Sequence, residues 1–206
     1  LPTECEEDIE AVGELCHEVL KESAPQGQRT PLKLNITISP FVPKPHTPFQ
    51  WEPMPEPEKI RERIYAIRDE GKHRKIKYKF HNPDRSFVEA VIARGDRRVG
   101  RVIKNVWEKG GQFDGWDDWF EFGRWKEAFS DIGIDVDAEG TSESPNSPLR
   151  SRALDEAMPW DHIDPGVKKS FLKQERDRAF SEEKTMDCRQ GACTQCGACR
   201  LVVRST

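Results

Sequence analysis

Four cysteines, Cys188, Cys193, Cys196 and Cys199, fall within twelve residues of one another in this 206-residue chain. The segment runs Cys188-Arg-Gln-Gly-Ala-Cys193-Thr-Gln-Cys196-Gly-Ala-Cys199, with spacings of x4, x2 and x2. Two residues between thiolates let backbone turns aim both sulfurs at one centre, and Gly191 and Gly197 admit the left-handed turns such wrapping needs. Arg189 and Arg200 favour thiolate over thiol. A disulfide framework spreads its bridges across a fold, so this clustering predicts a metal and a reducing compartment, with the cytoplasm as the default. A structural zinc site usually joins two C-x2-C halves across a long loop. Here the ligands share one short run, as in ferredoxins. The last three have the x2, x2 spacing that begins a bacterial ferredoxin run, but Val202 and Val203 stand where the fourth cysteine would fall, so Cys188 supplies the fourth ligand from upstream. The spacing therefore predicts an iron–sulfur cluster, 4Fe–4S first, with zinc as the alternative and a redox-active thiol group as a third choice.

Other residue groups suit other chemistry. Arg94-Gly95-Asp96-Arg97-Arg98 puts three guanidiniums at a helix junction. With the positive end of the second helix, Arg94, Arg97 and Arg98 suit a phosphate, a carboxylate or an RNA backbone. A structural network with acids such as Glu89 explains them equally well. His162 stands between Asp161 and Asp164, where a catalytic or metal role competes with simple capping and surface pairing. His46 and His81 lie near predicted strand ends, which face the active site in a βα barrel. No P-loop, G-x-G-x-x-G, G-x-S-x-G or H-E-x-x-H motif is present.

The elements that position these groups follow from hydrophobic periodicity. Thr3 and Glu6 have capping-box spacing before a helix with Ile9, Val12, Cys16, Val19 and Leu20 on one stripe, ending near Glu22. Cys16 is expected as a buried small hydrophobe. Leu32, Leu34, Ile36 and Ile38 alternate with polar residues as a strand. Residues 40–57 are proline-rich and cannot be helical. Their aromatics, Phe41, Phe49 and Trp51, either cover the core or line a cleft. A helix from Glu58 to Glu70, capped by Gly71, and a strand through Ile76, Tyr78 and Phe80 follow. Helix, strand, helix, strand predicts α/β packing with parallel strands. Beyond His81 the pattern turns helical. One helix is capped by Ser86 and Glu89 and stopped by Gly95, a second is capped by Asp96, and an aromatic third spans Asp117 to Asp131 with its rings mainly in the core. Residues 137–158 have linker composition. Asp164-Pro165 predicts the start of a last helix running to Glu182.

Composition sets bounds. Apolar residues make up 35% and charged residues 34%, with a net charge of −4. That allows a modest core and gives no global pull toward nucleic acid or anionic lipid. No apolar run is long enough for a transmembrane helix, and no signal peptide is visible. The start at Leu1, with a loop running straight into a helix, predicts an N-terminally truncated piece of a longer protein.

Phe41-Val-Pro-Lys-Pro-His-Thr-Pro-Phe-Gln50, Ala93-Arg-Gly-Asp-Arg-Arg98, Phe113-Asp-Gly-Trp116, Pro159-Trp-Asp-His-Ile-Asp164 and the cysteine segment resemble the C-terminal part of an uncharacterised radical SAM protein family. Its full-length members also carry a cobalamin-binding-type domain. The resemblance covers nearly the whole chain, and its most specific parts are the proline-rich and Arg-Gly-Asp-Arg-Arg stretches. It implies an α/β fold in which residues 1–80 are the C-terminal part of a partial (β/α) barrel; beyond it the residue patterns predict a mostly helical extension over 81–136, a linker over 137–158, and a helix with the cysteine-rich metal-binding segment over 159–206. The full-length protein would bind S-adenosylmethionine and a 4Fe–4S cluster, possess a site for cobalamin, and draw on an electron donor. The C-x3-C-x2-C loop that holds the primary cluster is absent here, and neither Cys5 nor Cys16 substitutes for it. This chain, without the missing N-terminal part, is thus not expected to be active alone, and its own cysteines would form an auxiliary centre. The competing reading is a zinc knuckle touching RNA through Arg94, Arg97 and Arg98. It is disfavoured because Arg189, Arg200 and Arg204 have few aromatic partners for base stacking.

Overall fold

The computed structural model describes residues 1–22, 33–134, 136, 144 and 146–199. In chain order these form α1 (Glu6–Glu22), β1 (Leu34–Ile38), α2 (Pro57–Glu70), β2 (Ile76–Phe80), α3 (Pro83–Arg94), α4 (Arg98–Glu108), α5 (Phe122–Ile132) and α6 (Lys169–Phe180). β1 and β2 pair in parallel, with Leu34 opposite Ile76 and Ile38 opposite Phe80. With α2 between them they make one βαβ unit, as helix–strand alternation predicts. Leu34, Ile36 and Ile38 are half-buried, whereas Asn35 and Thr37 on the other face are exposed. Leu32 lies outside the described residues. Two strands are not a barrel, so the fold shown is mixed α/β.

The local signals that start the helices differ in detail from the sequence expectation. The α1 box is formed by Cys5 and Asp8, not Thr3 and Glu6: the Asp8 carboxylate reaches back to the Cys5 amide at 2.9 Å. Ile9, Gly13 and Cys16 then form its buried stripe. A Cβ at Gly13 would lie 3.1 Å from that of Glu70, so α1 and α2 approach closely there. α3 begins at Pro83, with the Asn82 side chain accepting from the Asp84 amide at 2.9 Å. Ser86 is buried inside that helix instead of capping it. At α4 the expectation holds, since Asp96 accepts from the Arg98 amide at 2.9 Å. α6 begins at Lys169, because Asp164 turns back onto the Gly166 amide at 2.8 Å and Gly166 adopts φ +78°. Leu172 on α6 is buried, and Val167 and Phe171 pack beside it.

The aromatic run before α5 is the largest departure. Trp125 and Phe129 are buried as expected, but Trp116, Trp119 and Phe113 are 70%, 60% and 65% exposed. Asp114-Gly115 interrupts any helix, and Phe113 takes a left-handed φ of +57°. Residues 113–119 thus form turns held by Arg85, which donates to the Gly115 carbonyl at 2.7 Å and pairs with Asp117 at 3.1 Å.

One core joins Met54, Ile60 and Ile64 to apolar residues of α3, α4 and α5 and to Leu149. A second contains Trp51, Met158, Trp160 and Leu172. The described part of the expected linker is therefore built into the fold. Met54 donates to the Leu149 carbonyl and Arg152 to the Trp51 carbonyl, each at 2.9 Å. Residues 137–143 and 145 lie outside the described residues. Among the described residues no helix is long and apolar enough to cross a membrane.

Candidate metal centre

After α6 the chain reverses, with Thr185 donating to the Glu175 carboxylate at 2.7 Å. Cys188 follows, between Asp187 and Arg189, whose side chains pair at 2.5 Å. Hydrogen bonds to Asp187 hold the Arg189 guanidinium and raise its pKa. Arg200 lies outside the described residues. Two left-handed turns shape the middle of the segment, at Gln195 (φ +55°) and Gly197 (φ +102°). The first brings the Gln195 amide to 3.4 Å from the Cys193 sulfur, to which it donates. The second is enforced by close packing: a Cβ on Gly197 would sit 2.7 Å from the Gly166 carbonyl oxygen. Beside it the Lys168 amide donates to the Cys196 carbonyl at 2.8 Å, which fastens the segment to the start of α6.

Cys188, Cys193 and Cys199 are exposed and Cys196 is half-buried. Among the described residues, no three cysteine, histidine or carboxylate side chains converge as a metal-binding group. In donor chemistry the four thiols fit a thiolate-bound centre. All are sulfur donors, three are open to solvent, and an amide already donates to one sulfur. The other two cysteines are unsuited. Cys16 is buried, and the Glu7 carboxylate, with Asp8, pushes the Cys5 thiol above its ordinary pKa.

The arginine motif divides. Arg94 is buried, and its guanidinium donates to the carbonyls of Pro148 at 2.8 Å, Gln50 at 2.9 Å and Arg150 at 2.9 Å. It is a structural clamp, and its partners are main-chain oxygens instead of Glu89, which pairs with Lys44. Burial, and then repulsion from Arg152 and Arg150, lowers its pKa to about 10, so it stays charged at neutral pH. Arg97 is exposed. Arg98 pairs with Asp96 at 3.0 Å and donates to the Gly133 carbonyl at 3.1 Å.

The three histidines lie apart. His46, in a left-handed conformation with φ +58°, donates its amide to the Gln50 side chain at 3.0 Å. The same Gln50 oxygen accepts from Trp160 at 2.8 Å. His46 borders a cavity of about 310 Å³ with Asp161, Lys168 and Lys169. Its Nε2 is buried without a partner among the described residues. His81 follows β2 and borders a cavity of about 750 Å³ with Ile38, Phe41, Lys44 and Glu89. This cavity lies at the carboxyl ends of both parallel strands, with the His81 amide donating to the Ile38 carbonyl at 3.1 Å. His162 is exposed. Its flanking carboxylates serve structure: Asp161 pairs with Lys169 at 2.8 Å, and Asp164 makes the Gly166 turn.

Sequence reasoning passed over Gln50, Arg150, Arg152 and Glu156. The i, i+4 spacing of Arg152 and Glu156 signals an ion pair, seen at 3.1 Å, but nothing in the spacing signals that the pair adjoins Arg94.

The chain is 30% identical over 105 residues to Uncharacterized protein MJ0966 of Methanocaldococcus jannaschii. The match takes in 50% of this chain and 21% of the relative, so the chain spans about a fifth of that protein's length. No family model matches the sequence, and no solved structure does.

Proposed function

We propose that this chain is the C-terminal region of a radical SAM enzyme, and that Cys188, Cys193, Cys196 and Cys199 hold an auxiliary 4Fe–4S cluster for electron transfer or structure. The observation that carries this reading is the all-thiol segment tied to α6 through Lys168 and Cys196. The parallel β1–α2–β2 unit supports it, since its large cavity opens at the carboxyl strand ends, where βα barrels gather their chemistry. In the full-length protein further strands complete a partial barrel around this unit. The primary cluster, S-adenosylmethionine and cobalamin are assigned to parts of the polypeptide that carry the C-x3-C-x2-C loop, which this sequence lacks. When bound, the auxiliary cluster would supply one-electron transfer from an electron donor. The four thiolates would occupy every iron, leaving none open to substrate, while the Gln195 amide donates to Cys193 and the Gly197 turn holds the loop on α6. A reducing, cytoplasmic setting suits thiolate ligands.

Anaerobic purification followed by metal analysis tests this. About four irons and four sulfides per chain, with a brown absorption band near about 400 nm, are expected. One zinc per chain and no colour overturns the cluster and leaves a zinc knuckle. Cys196→Ser, at the half-buried ligand, removes most of the bound iron if the reading holds.

A further inference from the structure

The outward rings before α5 lie apart from the proposed metal centre and take no part in it. Phe113, Trp116 and Trp119 are each more than half exposed. They stand on two successive turns, in which the Trp116 amide donates to the Phe113 carbonyl at 2.9 Å and the Trp119 amide to the Trp116 carbonyl at 3.1 Å. The Phe113 and Trp119 rings meet edge to face, with centroids 6.0 Å apart. Large rings left in water forgo the burial that aromatic side chains gain elsewhere, and exposed apolar patches mark interaction sites. We propose that residues 113–119 dock an arginine-rich segment of a partner protein.

Rigidity is the first argument. Arg85 on α3 donates to the Gly115 carbonyl and pairs with Asp117, so the two turns are fastened to a helix. The contact between Phe113 and Trp119 closes the stretch on itself. A surface ordered before its partner arrives loses little conformational freedom on binding. Tryptophan on such a surface is the side chain that most often anchors a protein interface.

Charge is the second argument, and it selects the partner. Of the carboxylates in and beside the stretch, Glu108 pairs with Lys104, Asp117 with Arg85 and Glu121 with Arg124. Asp114 and Asp118 have no such partner among the described residues. Asp114 is half-buried, and its Oδ1 is shielded from water without a donor. A carboxylate in that setting attracts a cation more strongly than one in open water. Nucleic acid and anionic lipid are repelled by the same two charges. A guanidinium suits both features at once, since it stacks flat on an aromatic face and forks onto a carboxylate. The lysine ammonium is more strongly hydrated and has no fork.

The test is calorimetric titration of the full chain, at fixed ionic strength, with a short peptide of alternating arginine and glycine. Saturable binding is expected. It should weaken about tenfold in Trp119→Ala, which removes one stacking face, and about threefold in Asp118→Asn, as for loss of an exposed ion pair. Glu14→Gln removes an equal charge from exposed α1 surface and should leave the affinity unchanged. Bound peptide should also shield Trp116 and Trp119 from iodide. Should Trp119→Ala fail to fold by circular dichroism, Trp116→Ala, at the most exposed of the three rings, gives the same comparison. No saturable binding, or full affinity in the ring variant, overturns the proposal. Equal weakening in Glu14→Gln reduces the effect to bulk charge and overturns it too, as does a lysine–glycine peptide that binds as tightly. Binding to vesicles of phosphatidylcholine and phosphatidylserine in place of the peptide would assign the surface to a membrane. Self-association in sedimentation that Trp119→Ala abolishes would assign it to a second copy. Either result overturns the arginine-rich partner.

Discussion

Arg94 holds together three stretches of chain that are distant in sequence. It sits at the end of α3, while the carbonyls it bonds belong to the proline-rich stretch and to residues 148 and 150. Each bond satisfies a carbonyl that burial would otherwise leave unpaired. Arg94→Met keeps most of the volume and strands three acceptors. We expect a loss of about 3–5 kcal/mol in urea unfolding, at the upper end for a point substitution because several buried groups lose partners together. A loss below about 1 kcal/mol contradicts the clamp. The motif around Arg94 was legible as a basic cluster, but its division was not. Sequence spacing tells that Arg94, Arg97 and Arg98 leave the chain near one another. Which of them is buried depends on Gln50, Pro148 and Arg150, which arrive from elsewhere. The histidines teach the same lesson, for His46 and His162 differ by a buried Nε2 that no local pattern encodes.

At the scale of elements, periodicity located every strand and helix among the described residues, and errors concentrated at the ends. Asn82-Pro83-Asp84 was a stronger start signal than Ser86, since proline is favoured at the first helical position and asparagine just before it. Asp164-Pro165 gave the same signal for α6 and misled, because Gly166 breaks the helix with a positive φ. The aromatic stretch misled for a related reason: apolar residues in consecutive turns mimic a helical stripe. The cysteine segment gives a prediction at this scale. Gly197→Ala places a Cβ against the Gly166 carbonyl in a conformation side chains avoid, at a cost of about 1–2 kcal/mol. The contact between the segment and α6 should open more often, and the Lys168 amide should exchange with deuterium roughly tenfold faster. Unchanged exchange at Lys168 would show that the segment is fastened by something else.

For the molecule as a whole, composition foretold a modest core, and the structure divides it in two. The first gathers α2 to α5 and the second gathers Trp51, Trp160 and α6. Met54, Ile60 and Ile64, which precede residue 80, share a core with the later helices. Serine, proline and arginine at 147–152 have linker composition, yet this stretch is held by main-chain bonds whose partners composition cannot reveal. Ion pairs in and near this stretch contribute to stability in acid. Arg150 draws the Glu156 carboxyl below its ordinary pKa, and Arg98 does the same to Asp96. A carboxyl depressed in the folded state contributes stability above the unfolded-state pKa and loses it as pH falls through the folded value. The urea midpoint should therefore decline from about pH 5 to pH 3, with a shallower decline in Glu156→Gln. A midpoint independent of pH across that range would show that these pairs add nothing.

The six tryptophans fall into two optical populations. Trp51, Trp125 and Trp160 are interior, while Trp107, Trp116 and Trp119 face solvent. The outward three will emit at long wavelength and be quenched by iodide even in the native state. The inward three will be shielded, and they alone will shift to the red on denaturation. Because Trp51 and Trp160 share a core with Leu172 of α6, the helix on which the cysteine loop is moored, their emission gives a built-in gauge of that region. Iodide silences the exposed rings and leaves the emission of Trp51, Trp125 and Trp160 readable.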